Sequence, residues 1–142
     1  MKQEKSGVWQ SWNENISYNY KSLYKITSED ELQQIIKKSE KIRFFGTKQS
    51  SADIASGTET LVDITTYNKI LSYNDSERTI TVQSGLILGD LLEAIEAKGW
   101  CIPCLPDINT ITILSLPLIL FFIWVKSSNI NERIFDFILL TI

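Results

Sequence analysis

Gly46-Thr47-Lys48-Gln49-Ser50, placed directly after Lys41-Ile42-Arg43-Phe44-Phe45, offers more chemistry than any other segment of this chain. A short apolar strand breaks at a glycine and then presents small hydroxyls and a lysine. Strand ends of this kind suit phosphate, because consecutive N–H groups left unpaired at a turn converge on an anion. Gly46 permits close backbone approach. Thr47 and Ser50 carry hydroxyl donors, and Lys48 adds a point charge. Taken alone, the same residues also read as a plain surface turn after a strand.

A second chemical candidate is Trp100-Cys101-Ile102-Pro103-Cys104, which imitates the Trp-Cys-x-Pro-Cys of thioredoxin-like proteins. That redox chemistry needs its first cysteine at a helix amino terminus, where amides and dipole depress the thiol pKa. Here an apolar helical pattern closed by Gly99 comes before the motif. Leu105-Pro106-Asp107 and a β-branched run, Ile108-Asn109-Thr110-Ile111-Thr112-Ile113, come after it. Two cysteines in a strand-like segment entering the core fit this context better. A thiol-redox role stays as an alternative.

Several classes drop out on composition. The chain has no histidine, which removes His-based acid/base catalysis, Ser-His and Cys-His nucleophiles and the commonest metal ligand. A net charge of −3 without a basic run argues against a nucleic-acid partner. Asp63, Asp90, Glu93 and Glu96 form no acid/base pair, and no metal-ligand spacing exists. Two cysteines, without a cationic leader into an apolar core, point to a reducing, cytoplasmic setting without structural disulfides.

The elements that must position the loop follow from periodicity. Residues 1–22 form a polar, aromatic lead-in whose Trp9, Trp12, Tyr18 and Tyr20 pin an entry segment onto a core. Regular structure begins with a strand at Ser22–Ile26. Thr27 or Ser28 caps a helix with Glu29, Asp30 and Glu31 in its first turn and Leu32, Ile35 and Ile36 as its apolar stripe. Ile42–Phe45 then completes a parallel, right-handed βαβ unit. Leu61–Ile64 is a further strand. Lys69–Tyr73 and Thr79–Gln83 flank a hairpin turn at Asn74–Glu77. Leu88, Leu91, Leu92 and Ile95 mark an amphipathic helix closed by Gly99. The length suits one domain, and the fold class is α+β with a small parallel core.

With these elements placed, residues 9–113 resemble the amino-terminal part of a PCMH-type (vanillyl-alcohol-oxidase) FAD-binding domain. The branch is that of alditol oxidases and sugar-lactone oxidases such as D-arabinono-1,4-lactone oxidase. Trp12-Asn13-Glu14-Asn15-Ile16-Ser17-Tyr18 resembles the opening of alditol oxidases, and Ser28–Leu32 starts the first helix as in that family. Arg43–Ser50 is similar to its strand and loop Val-x-Gly-x-x-His-Ser. Arg78–Gly85 resembles its later strand ending in glycine, and Leu105–Thr112 the run into its second phosphate segment. The resemblance implies FAD as cofactor and partner, with the diphosphate on the backbone amides of Gly46, Thr47, Lys48, Gln49 and Ser50. Asp107 and Thr110 are weaker candidates for the same cofactor. It also implies an intact enzyme in which a hydride passes from a CH–OH carbon of a sugar alcohol or sugar lactone to the flavin.

Two departures from the family pattern matter. Many members carry a flavin-linking histidine where Gln49 stands, so the resemblance implies a non-covalent flavin here. After Thr112-Ile113 the family continues with Gly-Gly-Ala and Thr-Gly-Thr-His-Gly, whereas this chain has Leu114-Ser115-Leu116-Pro117. From that point large apolar residues dominate, with only Lys126, Glu132, Arg133 and Asp136 charged. The organisation expected is therefore a lead-in over 1–22, a partial flavin domain over 23–113 and an aberrant, out-of-frame tail over 114–142. Such a piece lacks a substrate domain, would be inactive alone and has strand edges that invite self-association. Residues 111–125 would reach roughly 22 Å as a helix, short of a ~30 Å hydrocarbon core, which argues against a span. A membrane-attached small protein stays as the other alternative.

Overall fold

The computed structural model describes residues 2–50, 53, 57, 59–102, 105–115 and 138–141. The chain divides into two compact units, Met1–Tyr67 and Asn68–Ile142, rather than one.

In the first unit, β1 (Lys2–Gln10) and β2 (Ser17–Lys25) pair antiparallel as a hairpin. The turn between them is closed by Ser11, whose amide donates to the Ile16 carbonyl and whose Oγ lies 2.9 Å from both Asn13 Oδ1 and Asn15 Oδ1. Regular structure therefore begins at Lys2, not at residue 22. The first strand escapes a periodicity reading because only Trp9 on it is buried. An edge strand wet on both faces leaves no alternation to detect.

Helix α1 (Glu29–Lys38) starts where the sequence places it. Ser28 is the cap and its hydroxyl accepts from the Glu31 amide at 3.4 Å, while the Glu31 carboxylate accepts from the Thr27 amide at 2.7 Å. The two orphan donors are met reciprocally, as in a capping box. Ile35 is buried, but Ile36 is half exposed and does not belong to the apolar stripe.

Strands β3 (Ile42–Phe45) and β4 (Thr60–Asp63) complete a four-stranded sheet ordered β1-β2-β4-β3. β2 and β3 are parallel, as expected of a βαβ unit, yet they are not neighbours: β4 lies between them and pairs parallel with both. That central place explains its composition. Leu61 and Val62 point to opposite faces and both are fully buried, so a strand covered on two sides reads as a continuous apolar run. Trp9, Leu23, Phe45 and Leu61 form one core cluster of this unit.

The second unit holds β5 (Ile70–Asn74), β6 (Thr79–Gln83), α2 (Leu88–Glu96), a 3₁₀ turn at Ile113–Ser115 and β7 (Ile138–Thr141). β5 and β6 form the expected hairpin, whose turn is tied by Asn74 Oδ1 accepting from Ser76 Oγ and the Glu77 amide. β7 adds to β6 in parallel. Helix α2 has no side-chain cap. Its first amides are met by the chain itself: Leu88 donates to the Ile111 carbonyl at 2.9 Å and Gly89 to the Asn109 carbonyl at 2.8 Å. Such substitution for a cap is one of the few ways to satisfy orphan helix donors. Gly99, at φ 72°, ends the helix as predicted. Ile80, Val82, Leu86, Leu88, Leu91, Ile95, Ile111 and Ile113 form the core of this unit.

The apolar run at 116–125, and with it most of the expected membrane-prone segment and tail, lies outside the described residues. Among the described residues, no helix is long and apolar enough to cross a membrane.

Candidate functional site

The Gly46–Ser50 loop leaves the sheet at the carboxyl end of β3, at the same edge where the parallel strands β2 and β4 end. Open parallel sheets place ligands outside this edge, because crossover connections leave loop amides there without ladder partners. The strand ends are firmly set. Ile64 donates to the Phe45 carbonyl at 3.2 Å, and Asp63 Oδ1 accepts from the amide and hydroxyl of Thr65, turning the chain off β4. Among the described residues, the amides of Gly46, Thr47 and Lys48 donate to no main-chain acceptor. Three successive donors thus stand available just past the strand.

Lys48 is the conformational oddity of the loop. Its φ is +61°, in the left-handed region that costs a side-chain-bearing residue about 1–2 kcal/mol. Glycine would be the default there, yet Gly46, named in the sequence for close backbone approach, has no such φ. The strain is held from outside the loop: the Trp12 amide donates to the Lys48 carbonyl at 3.1 Å. Strained residues fixed in this way concentrate at functional sites. The ammonium of Lys48 lies 5.9 Å from the centre of the Trp9 ring and 5.7 Å from that of Phe45. That is cation–π range.

The lead-in aromatics divide into two kinds. Trp12 is 61 % exposed. Trp9 is only 5 % exposed, stacks on Tyr18 at 4.9 Å and meets Phe45 edge-on at 5.9 Å. The Trp9 indole Nε1 and the Tyr18 hydroxyl oxygen are buried atoms with no hydrogen-bond partner among the described residues. Each such orphan costs about 1–3 kcal/mol. Burial, reinforced by the negative charge of Asp53, pushes the Tyr18 phenol up to about 12, so it remains a protonated donor at neutral pH. The loop itself therefore offers an ammonium and three amides as donors. A ligand made of phosphate oxygens fits that set, since it brings acceptors and negative charge.

The other sequence candidates separate. Gly46, Thr47, Gln49 and Ser50 are half-buried in the loop, and Lys48 is exposed. Asp107 and Thr110 are exposed and belong to the second unit. Sequence reasoning missed Trp9 and Tyr18 as polar groups of interest, because an unmet donor on a buried ring leaves no pattern in the chain. Cys101 is exposed, whereas Pro103 and Cys104 lie outside the described residues. The second unit also holds a cleft of about 150 Å³, lined among others by Arg78, Ile80, Leu91, Trp100 and Cys101. None of the Gly46–Ser50 residues lines it. No group of acidic or sulfur residues able to hold a metal occurs among the described residues.

Comparison with known proteins completes the description. Residues 21–118 match the family described as FAD binding domain. The chain is similar to L-gulonolactone oxidase of Scyliorhinus torazame, 26 % identical over 95 residues that cover 64 % of this chain and 22 % of the relative. Among solved structures it is similar to cholesterol oxidase from B. sterolicum, with TM-score 0.63, 14 % identity and coverage of 76 % of this chain and 22 % of the other. It is also similar to an alkyldihydroxyacetonephosphate synthase, with TM-score 0.58, 17 % identity and coverage of 67 % and 20 %. At such identities the structures speak for the fold, a PCMH-type arrangement of a four-stranded mixed sheet and a separate three-stranded sheet built on an antiparallel hairpin. The chain spans about a fifth of the length of each of these proteins.

Proposed function

The chain belongs to the FAD binding domain family, and on that premise we propose that it holds FAD non-covalently, gripping the diphosphate with the amides of Gly46–Ser50. The observation that carries this reading is the run of three donors, Gly46, Thr47 and Lys48, without main-chain acceptors among the described residues, at the carboxyl edge of parallel strands. Lys48 adds positive charge to the loop, and Thr47 and Ser50 supply hydroxyls. Asp107 and Thr110 belong to the second unit and stay weaker candidates for cofactor contact there, apart from the loop. When bound, FAD supplies the redox chemistry, and this chain's own residues bind and orient it. Support for non-covalent attachment comes from Gln49, which by the resemblance occupies the place where many members carry a flavin-linking histidine and has no ring nitrogen to form such a bond.

The activity to which such a domain contributes is, in this reading, oxidation of CH–OH groups of sugar alcohols or sugar lactones. Support comes from the ordered motifs over residues 9–113 and from the similarity to L-gulonolactone oxidase. Cofactor holding, rather than turnover, is the role proposed for these residues by themselves. No nucleic acid or membrane partner enters the reading.

Titration with FAD, followed by quenching of flavin and tryptophan fluorescence, tests it. Saturable binding is expected, and acid precipitation should release all the flavin into the supernatant. A chain that leaves flavin fluorescence unchanged would contradict FAD binding. Flavin that stays with the acid pellet would contradict non-covalent attachment alone.

A further inference from the structure

The cleft of the second unit lies apart from the loop and has a chemistry of its own. Its volume is about 150 Å³, and it is lined by the buried Ile80, Leu91 and Ile95, the half-buried Trp100 and the exposed Arg78 and Cys101. An apolar space of this size is large enough for a benzene ring. Trp100 is held by two neighbours: Tyr73 meets it edge-on at 6.3 Å, and Lys98 Nζ lies 5.3 Å from its ring centre. The two cations of this region differ. Lys98 is matched by Asp75, 2.9 Å from its Oδ1. The Arg78 side chain makes neither an ion pair nor a hydrogen bond among the described residues. Its backbone is unusual as well. Asn74 pairs with Thr79, so Arg78 ends the β5–β6 turn, and its φ is +52°. Glycine is the default for that conformation. An arginine strained there sets an unmatched guanidinium on the cleft, and strained residues concentrate at functional sites.

We propose that this cleft binds a small apolar monocarboxylate of about the size of benzoate, its ring against Ile80, Leu91, Ile95 and Trp100 and its carboxylate on the Arg78 guanidinium. A flat carboxylate matches the guanidinium fork through two parallel hydrogen bonds. Sugars and polyanions suit the cleft less, because its isoleucine and leucine side chains leave their polar groups unmet. The inference goes beyond FAD binding, since none of the Gly46–Ser50 residues lines the cleft.

Benzoate, with benzamide as its uncharged counterpart, tests this by calorimetric titration of the wild-type chain and of Arg78→Gly. Cys101, exposed on the cleft, reports where binding occurs through its alkylation rate with iodoacetamide, read by peptide mass spectrometry. Saturable benzoate binding is expected, with alkylation of Cys101 slowed in step with occupancy. Benzamide should bind the wild-type chain about threefold to tenfold more weakly, the scale of one partly exposed bidentate pair. Arg78→Gly should lose the same factor for benzoate and bind the two compounds alike. Its ligand-free thermal midpoint should stay level or rise, because glycine suits the positive φ. No saturable benzoate binding would overturn the inference, and so would binding that leaves Cys101 alkylation unchanged. Equal affinity of the wild-type chain for benzoate and benzamide would overturn it without recourse to a variant. Wild-type benzoate affinity in Arg78→Gly would do the same. FAD titration of the same samples reads the loop separately, so either reading can fail alone.

Discussion

Leu61→Ala is expected to lower the stability of the first unit by about 2–5 kcal/mol, the range for emptying a fully buried leucine site. Leu61 is completely buried at the centre of the sheet, opposite Leu23 on β2 and in the cluster with Trp9 and Phe45. Its removal leaves a cavity between the strands whose ends carry the loop. Small domains hold only about 5–15 kcal/mol in total, so the loss would take much of what the unit has. In a unit of this size that corresponds to a fall on the order of 10–30 °C in the melting midpoint. The control is Ile36→Ala on α1, half exposed and outside the stripe, which should change stability by less than about 0.5 kcal/mol. Thermal unfolding by circular dichroism distinguishes them. Equal, small effects at both positions would mean that Leu61 is not the centre of a packed sheet.

Gly46→Val has the second large effect, and it falls on binding rather than folding. The glycine is half-buried at the mouth of the loop and has no positive φ, so valine is not excluded by backbone conformation. What valine adds is a branched side chain where a ligand's diphosphate would meet the first free amide. Pyrophosphate and FAD affinity should fall by at least about tenfold, the scale of one lost charged hydrogen bond. The melting midpoint of the ligand-free protein should move only a few degrees. Unaltered affinity in a folded Gly46→Val protein would remove the loop from the binding surface.

The parts of the fold that were legible in the sequence are those with two-sided or one-sided burial. Helix α1 announced itself through Ser28 and the acidic first turn, and α2 through Leu88, Leu91 and Ile95. The β5–β6 hairpin followed from Asn74–Glu77, and β4 from its apolar run. What escaped was set by partners far away in the chain. The β1–β2 hairpin buries Trp9 and little else on its first strand, so no alternation marks it. The insertion of β4 between β2 and β3 depends on pairing between segments with no local signature. Ile36 continues the helical spacing of Ile35, but the covering surface ends before reaching it.

The candidate site divided in the same way. Glycine, hydroxyls and lysine after a strand gave the loop. The positive φ falls on Lys48, whose carbonyl accepts from the Trp12 amide in the β1–β2 turn. Asp107 and Thr110 came from motif order, and they stand exposed on the other unit. The unmet donors on Trp9 and Tyr18 were invisible to sequence, since only a folded core decides whether an indole N–H finds an acceptor.

FAD binding as proposed for this chain depends on free amides past Phe45 meeting an anion. Titration of ¹⁵N-labelled protein with inorganic pyrophosphate, read by amide resonances, addresses that directly. Saturable shifts centred on Gly46, Thr47 and Lys48 are predicted, larger than those at any other backbone site. Saturable shifts elsewhere, with these three resonances unmoved, would contradict the account.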